Sequence, residues 1–252
     1  MSAKTYLITG ANRGIGFALV KQLSAESKNT IIATARKPED AAELNEWSAK
    51  HPNVKILKLD VISSESVQAA AEEAAKILPE GLDVLVSNAG FLKNIGPFLD
   101  CPDELYIEQF NVNTVGPIRL VRAFKSLLDK KESKEVAIVT SVVGSLNIDL
   151  PMPFSGYGVS KAAINYAIKG LSQDLSPVGY SFVAIHPGLV GSDMGDYSLT
   201  EMGNHVAGEM KKALPYLTPD ESATAINQNV LKNLKAKNAG KFLSYDGSEL
   251  PW

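Results

Sequence analysis

"TYLITGANRGIG", residues 5–16, decides the fold of this chain. A short aliphatic run turns through Gly10, Gly14 and Gly16 into the apolar stretch that follows, the pattern of a strand turning sharply into a helix. Such a turn leaves the first N–H groups of the helix unpaired and pointing outward, where a pyrophosphate can sit if no Cβ blocks its approach. The residues at the turn are Gly10, Asn12, Arg13, Gly14, Ile15 and Gly16. Their G-x-x-x-G-x-G spacing differs from the G-x-G-x-x-G dinucleotide fingerprint. Tight strand–helix packing would also explain three glycines, so both readings stand at this point.

Working outward, the same alternation repeats. Strands are expected over 5–9, 29–35, 54–61, 82–88, 135–141, 180–187 and 240–246. Helices are expected over 14–27, 39–50, 64–78, 103–129, 156–175, 200–213 and 219–236. A β-α-β-α series with nearly continuous apolar strands implies parallel strands covered on both faces. The fold class expected is α/β: a single Rossmann-type, doubly wound parallel sheet of about seven strands spanning 1–252, with neither linker nor internal repeat. The irregular region 187–220 reads as a lid over a site, or as a plain surface excursion.

The 252 residues carry a net charge of −3, which argues against a broad nucleic-acid or anionic-membrane surface. The lone Cys101 excludes an internal disulfide or a thiolate zinc cluster. His51, His186 and His205 show no metal-ligand spacing, so no metal is expected. A strand-like run follows "MSAK" directly, leaving no room for a signal peptide, and no stretch approaches a membrane span. A cytoplasmic location is expected.

The second strand ends in "ATARKPED", residues 33–40. Dinucleotide folds place a carboxylate here to hold a ribose 2′-hydroxyl, or an arginine to accommodate a 2′-phosphate. This chain offers Arg36 and Lys37 at the tip, with Arg13 in the glycine turn. Guanidinium groups hold a phosphate bidentately and a carboxylate repels it, so NADP(H) is expected over NAD(H).

Seven motifs now stand in order: "TGANRGIG" (9–16), "LDV" (59–61), "NAG" (88–90), "NVNTVG" (111–116), "TSVVGS" (140–145), "YGVSK" (157–161) and "PGLVGSDM" (187–194). Together they resemble the short-chain dehydrogenase/reductase family over essentially the whole chain. The ending "GKFLSYDGSELPW" and the "ATARKPED" loop are similar to a narrower group, the sniffer-like and C-factor-like carbonyl reductases and fungal ketoreductases. The resemblance implies a catalytic tetrad of Asn113, Ser141, Tyr157 and Lys161. It implies that Asp60 and Val61 flank an adenine, and that Asn88, Ala89 and Gly90 line the riboses. Pro187, Gly188 and Val190 would pack beside a nicotinamide, with the Ser192 hydroxyl on its carboxamide. Tyr157 and Lys161 would also contact the cofactor. Asn111 is the weaker alternative to Asn113, and Ser145 to Ser141. The resemblance further implies a homodimer or homotetramer, formed through the helices at 103–129 and 156–175.

A free tyrosine, with a pKa of about 10, exchanges protons poorly at neutral pH. Lys161, four residues on and on the same helical face, is expected to favour the phenolate and lower that pKa. Ser141 would hydrogen-bond a carbonyl oxygen as it gains charge. Asn113 would hold a water linking Lys161 to solvent. The bland alternative is an ordinary i,i+4 pair on a solvated helix. Gly156 and Gly158 are expected to let substrate and cofactor approach the phenol. His186 reads as a core histidine, Cys101 as a loop or helix-start thiol, and Trp47 and Trp252 as packing residues, though Trp252 could touch a site or a subunit neighbour.

Phe91, Leu92, Leu146, Met152, Phe154 and Met194 are expected to wall a substrate pocket without Arg or Lys. The activity expected is therefore NADPH-dependent reduction of an uncharged ketone or aldehyde, aromatic and dicarbonyl compounds included. An oxidative alcohol dehydrogenase and a non-catalytic NADP(H)-binding sensor are the alternatives.

Overall fold

The computed structural model describes residues 3–150, 152, 154–203, 207–208 and 215–252. Nine strands occur among them: β1 (Thr5–Ile8), β2 (Thr30–Ala35), β3 (Val54–Lys58), β4 (Val84–Ser87), β5 (Glu135–Val139), β6 (Ser181–His186), β7 (Leu189–Val190), β8 (Tyr216–Leu217) and β9 (Lys241–Ser244). Seven form one sheet in the order β3-β2-β1-β4-β5-β6-β9, with every neighbouring pair parallel. The short β7 and β8 pair separately, also in parallel.

Period-two alternation sends successive side chains to opposite faces, and both faces are buried. Tyr6, Ile8, Ile31, Ala33, Val84 and Val86 pack on one side, while Leu7, Ile32 and Leu85 pack on the other. Helices α1 (Gly14–Ser24) and α2 (Ala42–Lys50) cover the first face through Leu19, Leu23 and Leu44. On the second face lie α3 (Ser64–Ile77), α4 (Asp103–Phe110), α5 (Gly116–Leu128) and α6 (Ser155–Leu175); Val67, Phe124 and Ile164 enter that core. Ser63 caps α3, its hydroxyl accepting from the Ser66 N–H at 3.1 Å.

The single helix expected over 103–129 is interrupted. Between α4 and α5 lies one π-helical turn, Asn111–Val115, a widening that hydrophobic periodicity does not report. After α7 (Asp193–Glu201), the helix expected over 219–236 is likewise shorter: α8 runs only Pro219–Ala225, and π and 3-10 turns carry the chain on to Asn238. Most of the helix expected over 200–213, and His205 with it, lies outside the described residues.

The order of winding reverses between β1 and β4, each lying at the start of one half of the sheet. At such a switch point the loops leaving the two strands diverge to opposite faces and open a crevice at the carboxyl ends. Those loops are "TGANRGIG" and "NAG".

Candidate active site

The glycine turn is built by close approach. Gly10 (φ 62°) and Gly14 (φ 55°) adopt left-handed backbone. A Cβ on Gly16 would stand 2.2 Å from the Gly10 carbonyl oxygen and 2.5 Å from Asn88 Nδ2. Thr9, fully buried, supplies the clamp: its Oγ1 accepts from the N–H groups of Asn88 and Ala89, both at 3.0 Å. Asn88 Nδ2 donates back to the Thr9 and Gly10 carbonyls at 2.9 and 3.2 Å. The Asn88 amide nitrogen therefore shapes the turn. Arg13, at the start of α1, makes no side-chain cap, so the helix N-terminus stays uncapped by protein. An uncapped N-terminus inside a cradle that a Cβ would fill fits a dinucleotide pyrophosphate.

Most of the other expected cofactor residues follow the carboxyl ends of β2, β3 and β6. Asp60 Oδ1 accepts from the Ile62 N–H at 3.2 Å, and buried Val61 packs against Gly116. Arg36 and Lys37 are exposed at the β2 tip, Lys37 with Asp40 at 3.7 Å. Arg13 Nη1 meets Asp193 Oδ2 at 2.7 Å, a partner from α7 that lies far along the chain. Ser192 caps α7, its Oγ accepting from the Gly195 N–H at 3.3 Å. Pro187 accepts from Ser222 Oγ at 2.6 Å, and Gly188 (φ 90°) lets Leu217 and Tyr245 close behind it. Val190 is buried.

On the other side of the crevice, the structure brings Ser141, Tyr157 and Lys161 together. Ser141 ends the strand-to-turn passage and opens a 3-10 turn, Val142–Gly144, with its Oγ accepting from the Val143 N–H at 3.3 Å. The buried Tyr157 phenol is hydrogen-bonded to Ser141. Lys161 Nζ lies 5.5 Å from the Tyr157 ring centre and donates to the Val139 carbonyl at 3.0 Å.

Here the lowered phenol pKa expected from sequence is corrected. Burial pushes the Tyr157 phenol above its ordinary value, and the Ser141 hydrogen bond opposes only part of that. Lys161 is as deeply buried, and desolvation brings its ammonium down to about 8. The phenol is thus held in its protonated, donating form.

Asn113 is buried in the π turn, whereas Asn111 is only half-buried. Its Oδ1 accepts from the Phe91 N–H at 2.8 Å, while Nδ2 donates to the Phe91 carbonyl at 2.7 Å and to Ser160 Oγ at 3.0 Å. Both hydrogens of the side-chain amide are thereby engaged within the protein. Ser160 in turn donates to the Tyr157 carbonyl at 2.7 Å, and Thr114 Oγ1 to the Ser160 carbonyl at 2.8 Å. The π turn is thereby fastened to α6 beside the phenol.

Three contributors were not legible as site residues: Thr9, Ser160 and Gly144. A Cβ on Gly144 would stand 2.6 Å from Lys161 C and 2.7 Å from its O, so the Ser141 turn lies directly on the α6 backbone. The expected role of Gly156 is corrected by the same geometry. Its Cβ would meet Gln109 Nε2 at 2.7 Å, which makes it an α4–α6 packing position rather than an opening toward the phenol. Gly158 faces Phe154 and the Val143 carbonyl at an ordinary 3.5 Å.

The pocket residues divide. Phe154 and Tyr157 form an apolar cluster with Ile95, Leu199 and Met202, and Leu92 and Met152 pack against it. Met194 Cε reaches over Gly90, and Phe91 is fixed by Asn113. Leu146 stands apart, 86% exposed, and the structure does not bring it to this wall. Two strained residues join the wall to its neighbours. Asn94 (φ 60°) donates its N–H to Tyr197 Oη at 3.1 Å and accepts from Ser155 Oγ (φ 20°) at 3.4 Å.

The remaining residues take plain roles. His186 Nδ1 accepts from the Val142 N–H at 3.4 Å, and burial lowers its pKa to about 4. Cys101 is buried just ahead of α4. Trp47 stacks on His51 and Trp252 packs on Phe242, while the Trp252 carbonyl accepts from Asn147 Nδ2 at 2.7 Å. Among the described residues no His, Cys, Asp and Glu cluster could hold a metal ion, and no helix is long and apolar enough to cross a membrane.

Comparison with known proteins agrees with this architecture. The model of the family described as short chain dehydrogenase matches residues 4–202. An uncharacterized oxidoreductase of Schizosaccharomyces pombe is 41% identical, over 99% of this chain and 98% of the relative. A short-chain dehydrogenase of Penicillium aethiopicum is 32% identical, over 98% and 99%. Among solved structures, the NADPH-bound carbonyl reductase from chicken fatty liver superposes with a TM-score of 0.85 at 29% identity, covering 100% of both chains. The carbonyl reductase Sniffer of Drosophila melanogaster gives the same values.

Proposed function

The chain belongs to the short-chain dehydrogenase family, and from that premise we propose that it reduces an uncharged ketone or aldehyde, aromatic and dicarbonyl compounds included, to the alcohol with NADPH. The observation that carries this reading is the Tyr157 phenol, buried against an apolar wall, bonded to Ser141 and flanked by Lys161. A nicotinamide cofactor, its pyrophosphate on the glycine turn, would supply the hydride. Ser141 donates to the substrate carbonyl oxygen and stabilises its developing charge. Tyr157 then gives its proton to that oxygen. Lys161 offsets the negative charge left on the phenol. Asn113 acts as a positioning residue, holding Phe91 on one side and Ser160 on the other. Arg13, Arg36 and Lys37 receive the 2′-phosphate.

The chicken and fly neighbours are both carbonyl reductases, which supports a carbonyl substrate, and the chicken protein is NADPH-bound, which supports NADPH. Exposed apolar residues on two adjacent helices, Ile107 of α4 and Tyr166 of α6, support a homodimer or homotetramer. The location that goes with this reading is cytoplasmic.

The test is the oxidation of NADPH and of NADH against a panel of ketones, aldehydes and keto acids. Neutral carbonyls are expected to be reduced with NADPH, and the double change Arg13→Gln with Arg36→Gln to weaken NADPH binding by about 10–100-fold, since charge-assisted bonds contribute about 1.5–3 kcal/mol. Equal rates with NADH in the wild type would sink the cofactor assignment. A pH dependence also follows. The Lys161 charge is present below about pH 8 and is lost above it, so kcat/KM for reduction is expected to decline as pH rises through that value. A profile flat across that region contradicts the role given to the lysine.

A further inference from the structure

The start of α7 rests on the cofactor-side loops through three consecutive residues. Ser192 Cβ lies 3.6 Å from the position of a Cβ on Gly14. Asp193 Oδ2 pairs with Arg13 Nη1 at 2.7 Å. Met194 Cε lies 3.7 Å from the position of a Cβ on Gly90. One turn on, Tyr197 accepts the Asn94 N–H on the substrate side. Of these four contacts only that of Asp193 joins opposite charges, and the charge it engages is one offered to a 2′-phosphate.

We infer that Asp193 is a specificity-determining residue for the cofactor, holding Arg13 in competition with the 2′-phosphate. The inference rests on the NADPH reading above. A guanidinium fork that faces a carboxylate presents fewer free donors to a second anion, and the carboxylate repels a phosphate brought beside it. An adenine nucleotide without the 2′-phosphate makes no such demand on Arg13, so Asp193 leaves its affinity alone. The sign of the effect separates this role from a structural one. Removing a bridge that merely props the glycine turn would loosen the turn and weaken both cofactors. Removing a competitor tightens one of them. The side chains are 68% and 71% exposed, so solvent screens the pair and the change is modest, about two- to fivefold.

The experiment measures dissociation constants for NADPH and NADH by fluorescence titration at low salt, without substrate. It uses wild type, Asp193→Asn, Arg13→Gln and the double variant. Asparagine keeps the volume of the side chain, and Ser192 still caps α7. The expected result is an NADPH Kd lowered about two- to fivefold in Asp193→Asn, with the NADH value unchanged and the gain absent when Arg13 is also replaced. No change, an equal gain for both cofactors, a loss for NADPH, or a gain that survives in the double variant overturns the inference. Wild-type protein that binds NADPH no more tightly than NADH overturns the NADPH reading instead. In that case an NADPH-selective, Arg13-dependent gain in Asp193→Asn would still support the assignment.

Discussion

Replacing Tyr157 by Phe is expected to lower kcat/KM for carbonyl reduction by about 10²–10⁴-fold, the usual contribution of a positioned proton donor. The substitution removes one oxygen and little else. The ring keeps its place in the cluster with Phe154, Leu199 and Met202, and its face toward Lys161. NADPH affinity and the melting temperature should therefore change little. Ser141 loses its bonded partner yet remains able to reach the substrate. Steady-state kinetics alongside an NADPH titration would check this, and a variant retaining even a tenth of the activity would remove Tyr157 from the proton step.

The second large effect is expected at a position without a side chain. Gly144→Val would place Cβ within 2.6 Å of Lys161 C and 2.9 Å of the Ala162 nitrogen. Those are backbone atoms inside α6 and have nowhere to go, so the Val142–Gly144 turn must lift away and carry Ser141 with it. A displacement of about 1 Å at reacting groups costs about 100-fold in rate. Overpacking adds about 1–3 kcal/mol of destabilisation, and in a chain of this length each kcal/mol lowers Tm by about 2–4 °C. Gly158→Ala is the matched control, because its Cβ finds only ordinary contacts at 3.5 Å. If Gly144→Val were as active and as stable as Gly158→Ala, the close seating of the Ser141 turn on α6 would be wrong.

The contrast between those two glycines marks how far sequence alone could reach. The strands were legible because residues such as Tyr6, Leu7 and Ile8 are all apolar while facing opposite ways, the mark of a sheet covered on both sides. Tyr157 and Lys161 were legible because helical spacing alone brings them to one face. What depends on contact between distant segments was not. Nothing near Gly156 in sequence announces Gln109, and nothing near Arg13 announces Asp193. The π turn escaped because the hydrophobic pattern runs through it with one residue too many per turn, a difference smaller than the pattern can resolve. The raised phenol pKa is hidden from the sequence for a related reason. The lysine was visible four residues away, whereas the burial that outweighs it is a property of the assembled core.

The clamp that shapes the glycine turn has a bearing on how the protein is made. Thr9 and Asn88 hold each other across 79 positions of chain, and β1 has β4 as one of its two sheet neighbours. A nascent chain presents "TGANRGIG" before the residues that give it form. Until Asn88 is translated, Gly10 has no amide to fix its carbonyl. The glycine turn therefore takes its shape only once synthesis has run 79 residues beyond Thr9. Contacts of such long range are slow to close, and during that interval the aliphatic "TYLI" segment is open to chaperones and to mispairing.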